Sequence, residues 1–307
     1  MERKISLSDV RKAVDSAYEN YKSIKEGEVS PQVPVDKPDA FGVAVVLTDG
    51  TVVKKGDVDI LSPIGGISRI PVSAVLLSDG KTDELFRKKG SCPFCSKSKV
   101  QKPHVGVGAA GVRAVSAVVP QGDREGKMQI IDSMLESMMG SAPVLDDRLY
   151  ETLKADQEKN KAVDAFAAAG YELYDDTALS LDIYTRLSSL TASAVQLATL
   201  GATLAADGRN PITGQYAFDG SIAAPMTALM AIAGHDHKRF VMGLGLPAKR
   251  GRAGALLAVL PGFGAIAAYG PRLDERGVSL KGFKAIQEIT RTLGLNVFGS
   301  ARVQVVD

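Results

Sequence analysis

The chain has 307 residues, 45% of them hydrophobic and 23% charged, with a formal net charge of +2. This is enough chain for one large domain or two ordinary ones, and its composition excludes a disordered protein. The near-neutral balance supplies no overall field for nucleic acid or an anionic membrane, and no run approaches the roughly 18 apolar residues that a membrane span requires.

The first residues, "MERKISLSDV", begin charged and lack the apolar stretch of a secretory signal. Cys92 and Cys95 are the only cysteines. A lone C-x-x-C without a second pair or neighbouring histidines is weak evidence for zinc and only slightly better for redox work. The expectation is a cytoplasmic protein with no structural disulfide, no metal and no cofactor.

In chain order, residues 6–24 predict an amphipathic helix, with Val10, Val14, Ala17, Tyr18 and Tyr21 on one face. A polar loop with three prolines follows. "FGVAVVLTDGTVVKKGD" (41–57) reads as two β-branched runs turning at Asp49-Gly50, a hairpin signal. "SPIGGISRIP" (62–71) follows a strand-like run and opens a helix. Residues 118–147 carry no readable pattern. "KNKAVDAFAAAGYEL" is helical up to Gly170, and 182–208 predict one helix ending at Gly208, with Leu190, Ala194, Leu197, Gly201 and Leu204 on one face. Two apolar runs, 255–261 and 263–270, make a second hairpin around Pro261-Gly262. Residues 275–294 read as a closing helix and 295–299 as a last strand.

Strands at both ends around a helical block predict an α/β (α+β) fold. A central antiparallel sheet is formed by N- and C-terminal strands, flanked by helices with a large helical insertion. The organisation expected is one unit over 1–307: an N-terminal helix (1–26), a sheet region (27–80 and 240–307) and a mainly helical region (81–239).

Four blocks in order then carry a resemblance: "DAFGVAVVLTDGTVVKKGDVDILSPI" (39–64), "LGATLAADGRNPITG" (200–214), "GLPAKRG" (245–251) and "LLAVLPGFGAIAAYGPRLDERGVSLKG" (256–282). From about residue 27 to 298 the chain resembles the bacterial glutaminases, which deaminate glutamine to glutamate on a serine β-lactamase/transpeptidase-like fold. The resemblance implies a Ser nucleophile and a Lys base one helical turn later, on the same face. Those positions are Gly66 and Arg69 here. Glycine has nothing to attack a carbonyl with, and arginine stays protonated at working pH.

Other substrate-pocket positions are also carried over by resemblance. Gly106 stands for a substrate-binding Asn and Leu153 for the Glu that meets the substrate ammonium, while Asn160 and Tyr184 are kept. His235 or a neighbour stands where the family has a Tyr. Lys249 and Gly251 match, Arg250 replaces a Ser, Arg252 replaces a Val beside the oxyanion hole, and Gln32 replaces an entrance Tyr.

The leading expectation is therefore a glutaminase-family protein that has lost deamination and serves as a binding, regulatory or assembly component. The alternative is an active amidohydrolase with a relocated nucleophile, for which Ser62, Ser68 and Cys95 are candidates. The resemblance implies a homo-oligomer; the extra arginines suit a small anionic ligand or a protein partner.

Several features have a plainer reading beside the functional one. Gly65 and Gly66 are either an anion-binding turn or a tight helix start, the latter favoured. Arg250 and Arg252 share a face if the strand runs through both, lining a pocket or plugging it. "SCPFC" reads as an incidental pair of thiols, "SKSK" (96–99) as a solvated loop, and "HDH" (235–237) lacks a third metal ligand.

Overall fold

The computed structural model describes residues 2–33, 35–81, 109–159, 161–168, 173–232, 237–299 and 302–306. Its first element has no counterpart in the sequence reading. Strand β1 (Glu2–Ser6) precedes the N-terminal helix and pairs in parallel with the final strand, β10 (Arg302–Val306). Helix α1 (Leu7–Tyr21) starts at a capping box: Ser6 Oγ accepts from the Asp9 N–H, and the Asp9 carboxylate accepts from the Ser6 N–H. It buries Val10, Ala13, Val14 and Ala17.

The central sheet is antiparallel throughout, as the sequence predicts. It contains β2 (Gly42–Leu47), β3 (Val52–Gly56), β7 (Ala248–Arg250), β8 (Ala255–Leu260) and β9 (Gly264–Tyr269), in the order β3-β2-β9-β8-β7. Strands from the two ends of the chain thus meet where β2 pairs β9. Strands β2, β8 and β9 are buried at every position, so they read as continuous apolar runs rather than alternating ones.

One face sends Val43, Val45, Leu256, Ala258 and Ile266 into a core shared with α1 and with α11 (Leu280–Leu293). Helix α11 is capped by Ser279 and ends at left-handed Gly294. Its Lys281 is buried, and Nζ donates to the carbonyls of Lys22 (2.9 Å) and Asp39 (2.7 Å).

The other face sends Ala44, Val46, Leu257, Val259, Ala265 and Ala267 into a larger core with the helices of the middle of the chain. These are α2 (Arg69–Ser78), α3 (Ala109–Ala117), α4 (Arg124–Met139), α6 (Ala162–Ala168), α7 (Thr177–Ser189), α8 (Ala194–Ala205) and α9 (Ala223–Ile232), whereas α5 (Asp147–Lys159) buries Leu149 and Leu153 in a small separate cluster and α10 (His237–Leu244) sends Phe240 and Leu244 into the core of α1 and α11. Among the described residues, no helix is long and apolar enough to cross a membrane.

Two expectations need correction. The single helix over 182–208 is two. Leu190–Ala192 is strand β6, which pairs with β4 (Ser62–Pro63) on one side and β5 (Val144–Leu145) on the other. The helix restarts because Ser193 and Gln196 form a second capping box. Its end is Ala205, with Gly208 (φ +86°) in the turn beyond. The strand expected at 295–299 is a turn, in which the Leu295 N–H returns to the Thr290 carbonyl after Gly294. The last strand lies further on, at 302–306.

Gly201 sets how closely α8 lies on the sheet. A Cβ there would stand 2.5 Å from the Ala265 Cβ and 2.8 Å from Leu257 Cδ1. Gly201→Ala therefore gains up to about 1 kcal/mol of helix propensity but overpacks the core at about 1–3 kcal/mol. Urea denaturation should show a net loss of stability.

Candidate functional site

The site starts at a 3-10 turn, Gly65–Ser68, between β4 and α2. The two glycines in it do different work. Gly65 has φ +45°, and a Cβ on it would stand 2.9 Å from the Arg252 nitrogen, so a side chain is excluded twice over. Gly66 has no such backbone constraint, and within 4 Å its Cβ would meet only the Arg250 carbonyl, at 3.1 Å. The plain reading of the pair as a tight helix start holds for Gly65, while at Gly66 a side chain would press on the Arg250 carbonyl without a backbone constraint.

One turn later Arg69 opens α2 and reaches across to α7. Its Nη2 donates to the Tyr184 hydroxyl at 3.0 Å, with the guanidinium carbon 5.9 Å from the ring centre. Both side chains lie against Gly111 of α3, where a Cβ would come 2.2 Å from the Tyr184 ring and 3.0 Å from Arg69 Nε. Gly111 has no place in the sequence reading; a glycine inside a helical pattern, in "AAGVRA", was the available signal. Burial alone would push the Tyr184 phenol up. The charge of Arg69, its hydrogen bond and the charge of Arg252 outweigh burial and hold it below its ordinary value.

Arg252 lies just beyond β7. Its Nη1 donates to Gln32 Oε1 at 2.9 Å, which brings the residue of the expected entrance to the site. Burial pushes its guanidinium below the usual arginine range, with Arg250 adding to that and Tyr184 and the Asp156 carboxylate opposing it. Its backbone N–H donates to the Pro63 carbonyl at 3.2 Å and so is not turned toward a substrate oxygen. The Nε atoms of Arg69 and Arg252 are both buried without a hydrogen-bond partner. Among the described residues, neither guanidinium is ion-paired to a carboxylate within bonding distance.

The remaining positions divide. Leu153, on α5, is buried with Val33, Leu149 and Ala253 in a small apolar cluster beside Gln32 and Arg252. Lys249, on β7, is buried and donates from Nζ to the Met230 carbonyl of α9 at 3.3 Å. Arg250 departs from the shared face expected for it and Arg252. It closes β7, and its Nη1 donates to the Gly277 carbonyl at 3.1 Å, whereas Arg252 follows the strand end and turns to Gln32.

Ser62 donates to the Ala192 carbonyl at 3.5 Å, and Ser68 to the Gly65 carbonyl at 2.7 Å. Both hydroxyls are buried and engaged with backbone. Gly106, Asn160, His235, Cys92, Cys95 and residues 96–99 lie outside the described residues. Among the described residues, no group of three His, Cys, Asp or Glu could hold a metal ion.

This arrangement sits in a scaffold found elsewhere. The family model described as Glutaminase matches residues 27–298. Over 323 residues and the full length of both chains, the protein is 34% identical to a glutaminase of Bacteroides thetaiotaomicron and 32% identical to one of Parabacteroides distasonis. Among solved structures, one described as the probable glutaminase ybaS superposes with a TM-score of 0.85 at 28% identity, covering 96% of this chain and 100% of that one. The chain belongs to the glutaminase family, and its fold is that family's β-lactamase-like fold.

Two outcomes follow from the geometry. Gly65→Ala should cost about 1–3 kcal/mol through its strained backbone, whereas Gly66→Ser, which meets a single carbonyl and needs no left-handed backbone, should cost less, both read from denaturant midpoints. Because the folded Tyr184 phenol ionises at lower pH than an unfolded one, wild type should gain stability over Tyr184→Phe as pH rises through that window. Phenolate absorbance should show the extra early titration, and Arg69→Met should move it to higher pH.

Proposed function

We propose that this glutaminase-family protein no longer deaminates glutamine and works as a binding component, with the old pocket turned over to an anion. The observation that carries this reading is the state of the helix turn. Position 66 has no side chain, and the cation one turn on is committed to Tyr184. An acyl-transfer route needs an activated nucleophile and a base to take its proton. Glycine supplies no nucleophile, and a guanidinium does not accept a proton.

The nearby hydroxyls do not offer a substitute. Ser62 and Ser68 both spend their protons on backbone carbonyls. The N–H of Arg252 is likewise spent on Pro63, which removes a donor from the place where an oxyanion would be stabilised. Leu153, in an apolar cluster, supplies no carboxylate of its own to receive a substrate ammonium. The reading takes the protein as cytoplasmic and self-associating, in line with its cysteine usage and the family resemblance.

A second reading is favoured by the comparisons. The full-length relatives at 32–34% identity carry the name glutaminase. That supports glutamine deamination here through a nucleophile placed elsewhere than residue 66.

Ammonia release from glutamine by the purified protein separates the two, with Gly66→Trp as a control that fills the space beside the turn. We expect no release above the control, and Gly66→Ser with Arg69→Lys should not restore it, because Leu153 and Arg252 remain. Release that is abolished by Gly66→Trp would establish the second reading.

A further inference from the structure

Building on the non-hydrolytic reading, we propose that Arg69, Tyr184 and Arg252 form a binding site for a short dicarboxylate that carries no amine. Three independent observations converge on it. First, two half-buried guanidiniums flank one buried phenol, and among the described residues neither is bonded to a carboxylate. Like charges gathered out of water are costly unless an anion joins them. Each guanidinium keeps a buried Nε with no acceptor.

Second, position 66 puts no side chain between the two arginines' elements: the place its Cβ would take, one helical turn from Arg69, is met within 4 Å only by the Arg250 carbonyl, at 3.1 Å. Third, the wall beside Arg252 is hydrocarbon: Val33, Leu149, Leu153 and Ala253 form one buried cluster. An ammonium placed there would lose its water and meet two guanidiniums, while the nearby Asp156 carboxylate acts on Arg252 and is already engaged. A methylene chain meets neither penalty.

Guanidinium forks match planar carboxylates, and two forks suit one carboxylate at each end of a short chain. Glutarate is the simplest probe of this chemistry. Glutamate is the same skeleton with an ammonium added, and sulfate tests whether any dianion suffices.

Isothermal titration of the full chain at fixed ionic strength tests the site. Glutarate should bind, glutamate at least about tenfold more weakly, and sulfate should not compete. Arg69→Ala and Arg252→Ala should each weaken glutarate by about tenfold or more, the loss expected for a charge-assisted contact. Arg69→Lys and Arg252→Lys keep the charge but lose the fork, so they should fall between wild type and the alanine variants. They also serve where an alanine variant does not fold. Arg250→Ala, whose side chain is bonded to Gly277, should bind as wild type does.

The proposal is overturned if glutarate does not bind at about 10 mM, if glutamate or sulfate binds equally well, or if Arg250→Ala loses as much as Arg252→Ala. Ammonia assays on the same preparation keep the two proposals apart. Release from glutamine defeats the non-hydrolytic reading itself, whereas no release together with no glutarate binding defeats only the dicarboxylate site.

Discussion

The site depends on a seam where backbone lies directly on backbone. The end of β7 passes so close to β4 and the following turn that neither Gly251 nor Gly65 could carry a side chain. A Cβ on Gly251 would stand 2.6 Å from the Pro63 carbonyl, and one on Gly65 2.9 Å from the Arg252 nitrogen. The Arg252 N–H to Pro63 carbonyl bond then fastens the seam. Through it the central sheet and the helical half are held in fixed relation, and Arg252 from one half is delivered beside Tyr184 from the other. The seam is made of atoms common to every residue, so it persists whatever side chains occupy the chemical positions around it.

The charge at the site follows from that fixed geometry. Arg69 cannot withdraw far into solvent, because its stem begins at the first residue of α2 and its head lies on Gly111 and Tyr184. A guanidinium is weakly hydrated and stacks on aromatic rings, which makes it a tolerable occupant of such a place. Arg252 meets the same half-buried surroundings, and among the described residues its side chain is bonded to the amide oxygen of Gln32. The phenol of Tyr184 is the group on which both charges act.

Much of the fold was legible in the residues. The Asp49-Gly50 hairpin, the apolar runs around Pro261-Gly262 and the period of α11 each carry their own local signal. The failures have physical causes. Leu190–Ala192 continues the helical period of its neighbours, and only its pairing with two short strands pulls it out of the helix. The pairing of β1 with β10 joins the two ends of the chain, a contact that no local window contains. In 118–147 a signal was present and passed over: Asp123 caps α4, left-handed Gly140 ends it, and Met128, Ile131, Leu135 and Met138 keep a helical spacing. At the site, residue identity alone excluded the Ser-x-x-Lys chemistry at Gly66 and Arg69. The contacts of Arg69 with Tyr184 and Gly111, and the divergence of Arg250 from Arg252, belong to tertiary structure and leave no mark in sequence spacing.

Gly65 and Gly66 are adjacent, yet they face opposite mutational futures. Nearly any substitution at Gly65 spoils the seam and would be removed by selection for a folded chain. A serine at Gly66 is one base change away from two of the four glycine codons, and the backbone there needs no left-handed φ. On the non-hydrolytic reading, what stands against a Ser-x-x-Lys reaction is the company that position keeps: the arginine one turn on, the phenol it holds and the hydrocarbon wall at Leu153. On that reading the obstacle lies around position 66, not at it.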